Sequence, residues 1–257
     1  MKFKSTRGKA PVLNFSEALR VGLASDGGLY IPETFPVFEM KNFSKNTSFQ
    51  KIAETLLLPF LSEDPLESSI SEMIQNALNF PIPIVKLDET TSVLELFHGP
   101  TAAFKDVGAR FLAECLERIS EKKKWTILVA TSGDTGSAVA AAFHGKTNVE
   151  VFILYPKGLV SPFQEEQLTS WGDNVRAFTV AGTFDDCQKI VKEAFADSRW
   201  KNNKNLISAN SINIGRILPQ AVYYASTSIN YYNETGKNTR IHNTIGKCRE
   251  FIGSSLG

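Results

Sequence analysis

The chain has 257 residues, of which 42% are hydrophobic and 21% charged, close to the values of an ordinary globular protein. This composition excludes a disordered chain, and no apolar run reaches the ~18–20 residues that cross a bilayer. The 28 Lys and Arg against 27 Asp and Glu give a net charge of +1, without the basic excess expected of a partner of nucleic acid or of a membrane surface. We therefore expect a cytoplasmic protein of one to two domains.

The three cysteines, Cys115, Cys187 and Cys248, are odd in number, widely spaced and without a CxxC pair. Neither a disulfide framework nor a zinc site follows from such a pattern. Cys115 and Cys187 fall inside predicted helices, where we expect unreactive packing residues. The first seven residues lack the apolar core of a signal peptide, so export is not expected.

The first ninety residues are predicted to be mostly helical. Asn14 offers a cap for a helix that stops at residues 25–28, where Ser-Asp-Gly-Gly reads as a structural turn because glycine tolerates positive φ. Apolar residues at three- and four-residue intervals predict two more helices. The remaining elements of this region are helices at 49–61 and 67–79 and extended pieces at 29–32 and 81–84.

From residue 92 onward, short apolar segments alternate with helix-forming runs. The predicted strands are 93–97, 126–130, 149–155 and 175–180, and the predicted helices are 107–119, 137–143, 162–171, 184–195 and 215–232. This alternation favours an α/β fold, in which helices cover both faces of a parallel sheet. We divide the chain into an N-terminal domain (1–90), a catalytic region (91–235) and an aberrant tail (236–257) without helical or strand periodicity.

The segment 131–136, Thr-Ser-Gly-Asp-Thr-Gly, directly follows a predicted strand and precedes a predicted helix. Backbone N–H groups at a helix N-terminus attract anions, and ligands of α/β proteins sit outside the carboxyl ends of strands. A carboxylate or phosphate could therefore dock here. The alternative is an ordinary β–α turn that uses glycine for geometry and Ser, Thr or Asp for capping. The segment matches neither GxGxxG nor the Walker pattern, so nucleotide binding is not indicated.

A second segment, 97–106, places Lys105 after an aromatic residue at the start of a helix. A lysine that is partly desolvated by apolar neighbours can lose its proton near neutral pH and form a Schiff base with a carbonyl cofactor. The alternative is a solvated surface lysine, the commoner situation. His98 in the same segment is either a site residue or a partly buried histidine satisfied by backbone.

Together, four stretches resemble the threonine synthases, pyridoxal-phosphate enzymes of the tryptophan-synthase β-like fold type. They are residues 25–32 (SDGGLYIP), 95–106 (ELFHGPTAAFKD), 130–138 (ATSGDTGSA) and 210–216 (NSINIGR). The resemblance covers nearly the whole chain to about residue 233. The lysine segment and the TSGDTG segment at this separation make it specific.

The resemblance implies a parallel sheet with flanking helices after a mostly helical N-terminal domain. It implies that Lys105 holds pyridoxal 5'-phosphate and, once released, moves protons between substrate carbons. The family converts O-phospho-L-homoserine and water to L-threonine and phosphate, the final step of threonine biosynthesis. The residues expected to bind this substrate are Ser132, Gly133, Asp134, Thr135, Gly136, Asn213 and Arg216. For Asn213 a helix cap, and for Arg216 a surface position, stay open as alternatives.

The sequence departs from the family pattern after residue 235. There the family continues with a strand and a Ser/Thr-Gly-Asn-x-Gly-Asn loop that cradles the cofactor phosphate, and this chain has neither. Codons for residues 244–252, read one nucleotide forward, permit Pro-Ser-Gly-Asn-Val/Ala-Gly-Asn. We therefore hypothesise a frameshifted reading frame that is truncated soon afterwards and leaves the fold incomplete. Resequencing around codon 239 tests this hypothesis.

Without that loop we expect the chain as written to bind pyridoxal phosphate poorly, to turn over little and to be prone to aggregation. Two other functions stay open at this point. One is a related phospho-lyase that releases a keto acid from the same or a similar substrate. The other is a non-catalytic α/β fragment, which would melt cooperatively without binding the cofactor.

Overall fold

The α/β alternation is present in the computed structural model, which describes residues 1–119, 124–197, 199–200, 205–243 and 250–253. Its helices are α1 (Phe15–Val21), α2 (Phe49–Leu57), α3 (Ile70–Ala77), α4 (Lys105–Arg118), α5 (Asp134–Phe143), α6 (Pro162–Thr169), α7 (Phe184–Ala196) and α8 (Ile214–Thr235). Its strands are β1 (Phe3–Ser5), β2 (Tyr30–Pro32), β3 (Ile84–Lys86), β4 (Thr91–Leu94), β5 (Trp125–Ala130), β6 (Val149–Pro156), β7 (Val175–Val180), β8 (Leu206–Ile207), β9 (Arg240–Asn243) and β10 (Glu250–Gly253).

A parallel sheet with strand order β7-β6-β5-β8 forms the centre of the region after residue 91. Successive side chains of β5 point to opposite faces. Ile127 lies in the main hydrophobic core, whereas Leu128 packs with Cys187 and Val191 of α7. Burial on both faces is what the continuous apolar segments predicted. The predicted fold class, a parallel sheet with flanking helices after a mostly helical N-terminal region, is confirmed.

The main core runs without a break from the N-terminal region into the region that contains the parallel sheet. It includes Phe3 and Leu19, Phe111 of α4 and Val222 of α8, all fully buried or nearly so. Cys115 is buried in the same core, where burial raises the pKa of its thiol, so its expected role in packing is borne out. The domain boundaries at 90 and 235 stay predictions.

The turn at residues 25–28 is structural, as predicted. Asp26 Oδ1 accepts hydrogen bonds from Ser5 Oγ (2.7 Å) and from the N–H of Gly28 (2.9 Å). The bond from Ser5 is the main reason why the pKa of Asp26 falls to about 2. Gly27 has a φ of +76°, and a Cβ on Gly28 would lie 2.1 Å from Ser5 Oγ, so the turn requires both glycines.

The second large sheet is antiparallel, with strand order β3-β4-β10-β9, and the sequence did not predict it. The predicted strand 93–97 is wrong at its end, because β4 pairs with β3 through a tight turn closed by Asp88 and covers only Thr91–Leu94. The tail was expected to have no strand, yet β9 and β10 pair with each other, and β10 pairs with β4. The hypothesis of a frameshift depends on residues 244–249, which lie outside the described residues together with 254–257.

Several helix boundaries differ from the predicted ones. The helix predicted over 49–61 ends at Leu57 and continues as a 3-10 turn, Leu58–Leu61, which contains a proline. The helix predicted from 67 begins with a 3-10 turn, Glu67–Ser69. More importantly, α4 and α5 begin at Lys105 and Asp134, two and three residues earlier than predicted. No helix in the described part of the chain has both the length and the apolarity to span a membrane.

A buried carboxylate on α4 links this helix to α3 and to the loop between α5 and β6. Glu114, 9% exposed, accepts hydrogen bonds from Lys146 Nζ (2.8 Å), Arg118 Nη1 (2.7 Å) and Asn76 Nδ2 (3.0 Å). Burial favours the neutral acid, but these hydrogen bonds outweigh it and lower the pKa of Glu114 below its usual value. The charged form is therefore part of the folded state.

We predict that Glu114→Gln lowers the free energy of unfolding at pH 7 by about 1–3 kcal/mol, because hydrogen bonds to a charged group are lost. A depressed pKa contributes stability above the unfolded value of about 4.3, and this stability disappears as the pH falls through the folded pKa. Urea unfolding should therefore show the gap between the two proteins narrowing as the pH falls below about 4.3. The exposed Glu89→Gln serves as the control, and an equal gap at pH 7 and pH 3.5 would contradict the prediction.

Candidate active site

The segment 131–136 lies at the carboxyl edge of the parallel sheet, as its sequence predicted. Strand β5 ends at Ala130 and α5 begins at Asp134, so the loop between them is a tight turn. Gly133 has a φ of +140°, and a Cβ there would lie 2.3 Å from Gln164 Nε2. The loop conformation therefore requires glycine at this position.

The hydroxyl of Thr131 holds this loop together. Thr131 Oγ1 accepts hydrogen bonds from the N–H groups of Gly133 (3.0 Å) and Gly136 (2.9 Å), and it lies 3.0 Å from the Gly133 carbonyl oxygen, to which it donates. Among the described residues, no hydrogen bond is formed by the N–H groups of Ser132, Asp134 and Thr135. These three donors, at the positive end of α5, remain available for an anion.

Lys105 brings the two sequence motifs together. It is the first residue of α4, and its Nζ lies 3.4 Å from Asp134 Oδ2 and 4.3 Å from the centre of the Phe104 ring. Its side chain is only 21% exposed and lies against an aromatic ring and a carboxylate, so Lys105 is not a fully solvated surface lysine. Lys105 and Asp134, 29 residues apart in the chain, therefore form one site.

Asp106 fixes the loop before Lys105, although it was not among the residues predicted for the site. Its Oδ2 accepts from the N–H of Thr101 (2.9 Å) and its Oδ1 from Thr101 Oγ1 (2.7 Å). Burial raises its pKa, although the Thr101 hydrogen bonds oppose the shift. A Cβ on Gly99 would lie 2.5 Å from Asp106 Oδ2, so the loop closes tightly over the carboxylate. An acidic residue in the first turn of a helix was the available sequence signal.

His98 is engaged within its own segment. Its Nε2 lies 2.6 Å from Glu95 Oε2, and its ring stacks on Phe97 at 4.7 Å between centroids. Both side chains of the His98–Glu95 pair are partly exposed. The histidine is therefore satisfied by a carboxylate, and not by the backbone as the alternative interpretation expected.

Asn213 is a buried helix cap, one of the two roles considered for it. Its Oδ1 accepts from the N–H of Gly215 (2.9 Å), and its Nδ2 donates to the carbonyl oxygens of Leu19 (2.8 Å) and Ser208 (2.9 Å). These bonds tie the start of α8 to the N-terminal region. A direct contact of Asn213 with substrate stays a prediction.

Arg216 is fully buried, so the alternative of a surface arginine is wrong. Its Nη1 donates to the Ala209 carbonyl oxygen (2.7 Å), whereas its Nε and Nη2 have no hydrogen-bond partner among the described residues. Burial lowers its pKa to about 10, a shift that the charge of Asp106 partly opposes. Its predicted contact with substrate is untested.

Two family models together match nearly all of the described chain. Residues 2–78 match the model described as threonine synthase N terminus. Residues 79–242 match the model described as pyridoxal-phosphate dependent enzyme. The second match contains Lys105 and the loop at 131–136, as well as the buried Arg216.

Individual relatives point in the same direction. The chain is 42% identical over 226 residues to the threonine synthase of Serratia marcescens and 44% identical over 212 residues to that of Haemophilus influenzae. These alignments cover 87% and 82% of this chain but 53% and 50% of those proteins. The chain thus spans about half the length of the curated relatives it matches.

Two solved structures of threonine synthases are similar to this chain at about the same sequence identity. The pyridoxal-phosphate-bound threonine synthase of Brucella melitensis gives a TM-score of 0.84 at 42% identity, covering 90% of this chain and 52% of that one. The threonine synthase of Escherichia coli gives 0.79 at 40% identity, covering 89% and 54%.

We predict that Thr131→Val destabilises the protein by about 1–3 kcal/mol, because the N–H groups of Gly133 and Gly136 lose their buried acceptor. Thr131→Ser keeps the hydroxyl and should stay close to the wild type. Urea unfolding measures the difference, with the exposed Thr179→Val on β7 as the control. A loss no larger than that of Thr179→Val would contradict the role given to Thr131.

Proposed function

Because the chain belongs to the family of pyridoxal-phosphate dependent enzymes, we propose that it is the lysine-bearing part of a threonine synthase. The reaction is the conversion of O-phospho-L-homoserine and water to L-threonine and phosphate. The single observation that carries this proposal is the approach of Lys105 Nζ to Asp134 Oδ2 at the carboxyl edge of the parallel sheet. The similarity to threonine synthases over the N-terminal region supports the choice of substrate.

The residues present fit a phosphorylated aldehyde cofactor together with an anionic substrate. Lys105 offers a primary amine on a mostly buried side chain, and such an amine condenses with an aldehyde once it has lost its proton. Beside it, at and just before the start of α5, the N–H groups of Ser132, Asp134 and Thr135 form no hydrogen bond among the described residues. Such donors bind a carboxylate or a phosphate group.

When bound, pyridoxal phosphate withdraws electrons from the carbon atoms of an amino-acid substrate. The chain's own residues supply binding and proton transfer. Lys105 holds the cofactor and, once its amine is free, takes up and returns protons at substrate carbons. Asp134, 3.4 Å away, stabilises the ammonium form that results from proton uptake. This ion pair also reduces the repulsion between Asp134 and an anionic substrate.

In the proposed substrate-binding loop, residues 131–136, backbone N–H groups bind the anion and the glycines leave the space that the loop needs. We assign the anion contact to the N–H groups of Ser132, Asp134 and Thr135. The N–H groups of Gly133 and Gly136 are already bonded to Thr131. These glycines act by lacking a side chain, which leaves space for Gln164 and Leu168. We also propose a cytoplasmic site of action, in keeping with the balanced net charge of +1 and with a small-molecule substrate.

We predict that pyridoxal phosphate, added in equimolar amount and fixed by borohydride, modifies Lys105 in preference to the other lysines. Peptide mapping by mass spectrometry measures the share at each position. Lys105→Ala should remove the main modified peptide, whereas Lys157→Ala, at an exposed position, should leave it unchanged. Modification spread evenly over exposed lysines in both proteins would contradict the assignment of Lys105.

The product distinguishes the reaction types. With O-phospho-L-homoserine as substrate, phosphate and threonine together support the proposed function, whereas phosphate and a keto acid identify the phospho-lyase. Modification of Lys105 without phosphate release identifies a chain that holds the cofactor without completing the reaction.

A further inference from the structure

Helix α6 (Pro162–Thr169) contacts both loops of the candidate site. Gln164 Nε2 donates to Asp134 Oδ1 at 2.7 Å, and Gln167 Nε2 donates to the Thr101 carbonyl oxygen at 3.4 Å. Leu168, buried on the same helix, lies so close to the start of α5 that a Cβ on Gly136 would be 2.7 Å from Leu168 Cδ2. One helix thus joins the loop that carries Asp134 to the loop that precedes Lys105.

The amide of Gln164 has a fixed orientation. Its Oε1 accepts hydrogen bonds from Ser161 N (3.4 Å) and Ser161 Oγ (3.2 Å) at the start of α6. The amide oxygen is therefore engaged at the helix cap, and the NH2 group faces Asp134. Because Gln164 occupies Oδ1 of that carboxylate, Oδ2 remains turned toward Lys105 Nζ at 3.4 Å.

The glycine of the loop makes this contact possible. A Cβ on Gly133 would lie 2.3 Å from Nε2 and 2.4 Å from Cδ of Gln164. The amide of Gln164 therefore lies over the position where any other residue at 133 would carry its side chain. The need for glycine at this position arises from α6 as well as from the backbone conformation.

We propose that Gln164 is a positioning residue, which holds the Asp134 carboxylate so that it pairs with the amine of Lys105. The importance of Gln164 for the reaction rests on the proposed function, whereas its hydrogen bond to Asp134 is independent of that function. Gln164 acts through Asp134 and needs no contact with substrate or cofactor. Its effect should therefore depend on Asp134 being present.

A double-mutant cycle on the full chain, without cofactor, tests this dependence. The probe is reductive methylation with formaldehyde and borohydride, measured as the ratio of labelling at Lys105 to labelling at the exposed Lys157. An amine paired with a carboxylate must leave that pair before it reacts, so Gln164→Met should raise the ratio about three- to tenfold. In the Asp134→Asn background the same substitution should change the ratio less than about twofold.

Two further variants serve as a backup and as a control for this experiment. Ser161→Ala leaves Gln164 in place but frees its amide oxygen, so it should give a smaller rise, and it replaces Gln164→Met if that variant does not fold. Glu166→Gln, exposed on the same helix, should leave the ratio unchanged. An equal rise with and without Asp134, or no rise at all, would overturn the inference.

The two proposals fail separately. Lack of coupling between Gln164 and Asp134, with cofactor still attached at Lys105, overturns the positioning role alone. Cofactor attachment away from Lys105, with the coupling intact, overturns the proposed function and leaves the positioning role of Gln164 as a property of the ion pair.

Discussion

The contact between Lys105 Nζ and Asp134 Oδ2 is the interaction on which the site depends, because it joins residues from the starts of two different helices. A separation of 3.4 Å between the amine of a mostly buried lysine side chain and a carboxylate requires both helix starts to be held in place. The parallel sheet fixes α5, since β5 leads directly into the loop before it. The packing of α4 in the main core fixes the lysine.

The two loops are held by the same device, a polar side chain that satisfies nearby backbone groups. Thr131 Oγ1 accepts from two N–H groups of the first loop, and the Asp106 carboxylate accepts from the N–H and hydroxyl of Thr101 in the second. Both side chains are buried, where an unpaired donor or acceptor would be destabilising by about 1–3 kcal/mol. Each loop therefore has a strongly preferred conformation before any ligand binds, and ligand binding need not supply the ordering entropy.

Most of the parallel sheet and the location of the site could be predicted from the sequence, because apolar periodicity and glycine-containing turns are local signals. The starts of α4 and α5 could not, since neither Phe104 nor Gly133 provides a capping side chain. The contact of Gln164 with Asp134 spans 30 residues and depends on how α6 packs, for which no local pattern exists. The antiparallel sheet escaped prediction for a similar reason, since β10 pairs with β4 across most of the chain.

The buried Arg216 connects α8 to the segment that carries Lys105. Helix α8 lies close to α4: a Cβ on Gly108 would be only 2.7 Å from the Arg216 carbonyl oxygen. Asp106, whose charge opposes the lowered pKa of Arg216, lies directly beside Lys105 in the chain and has its oxygens bonded to Thr101. The guanidinium thus lies near a carboxylate that is already committed to the lysine loop. The packing of α8 against α4 therefore contributes to the electrostatic environment of Asp106, the residue that follows Lys105 and holds the loop before it.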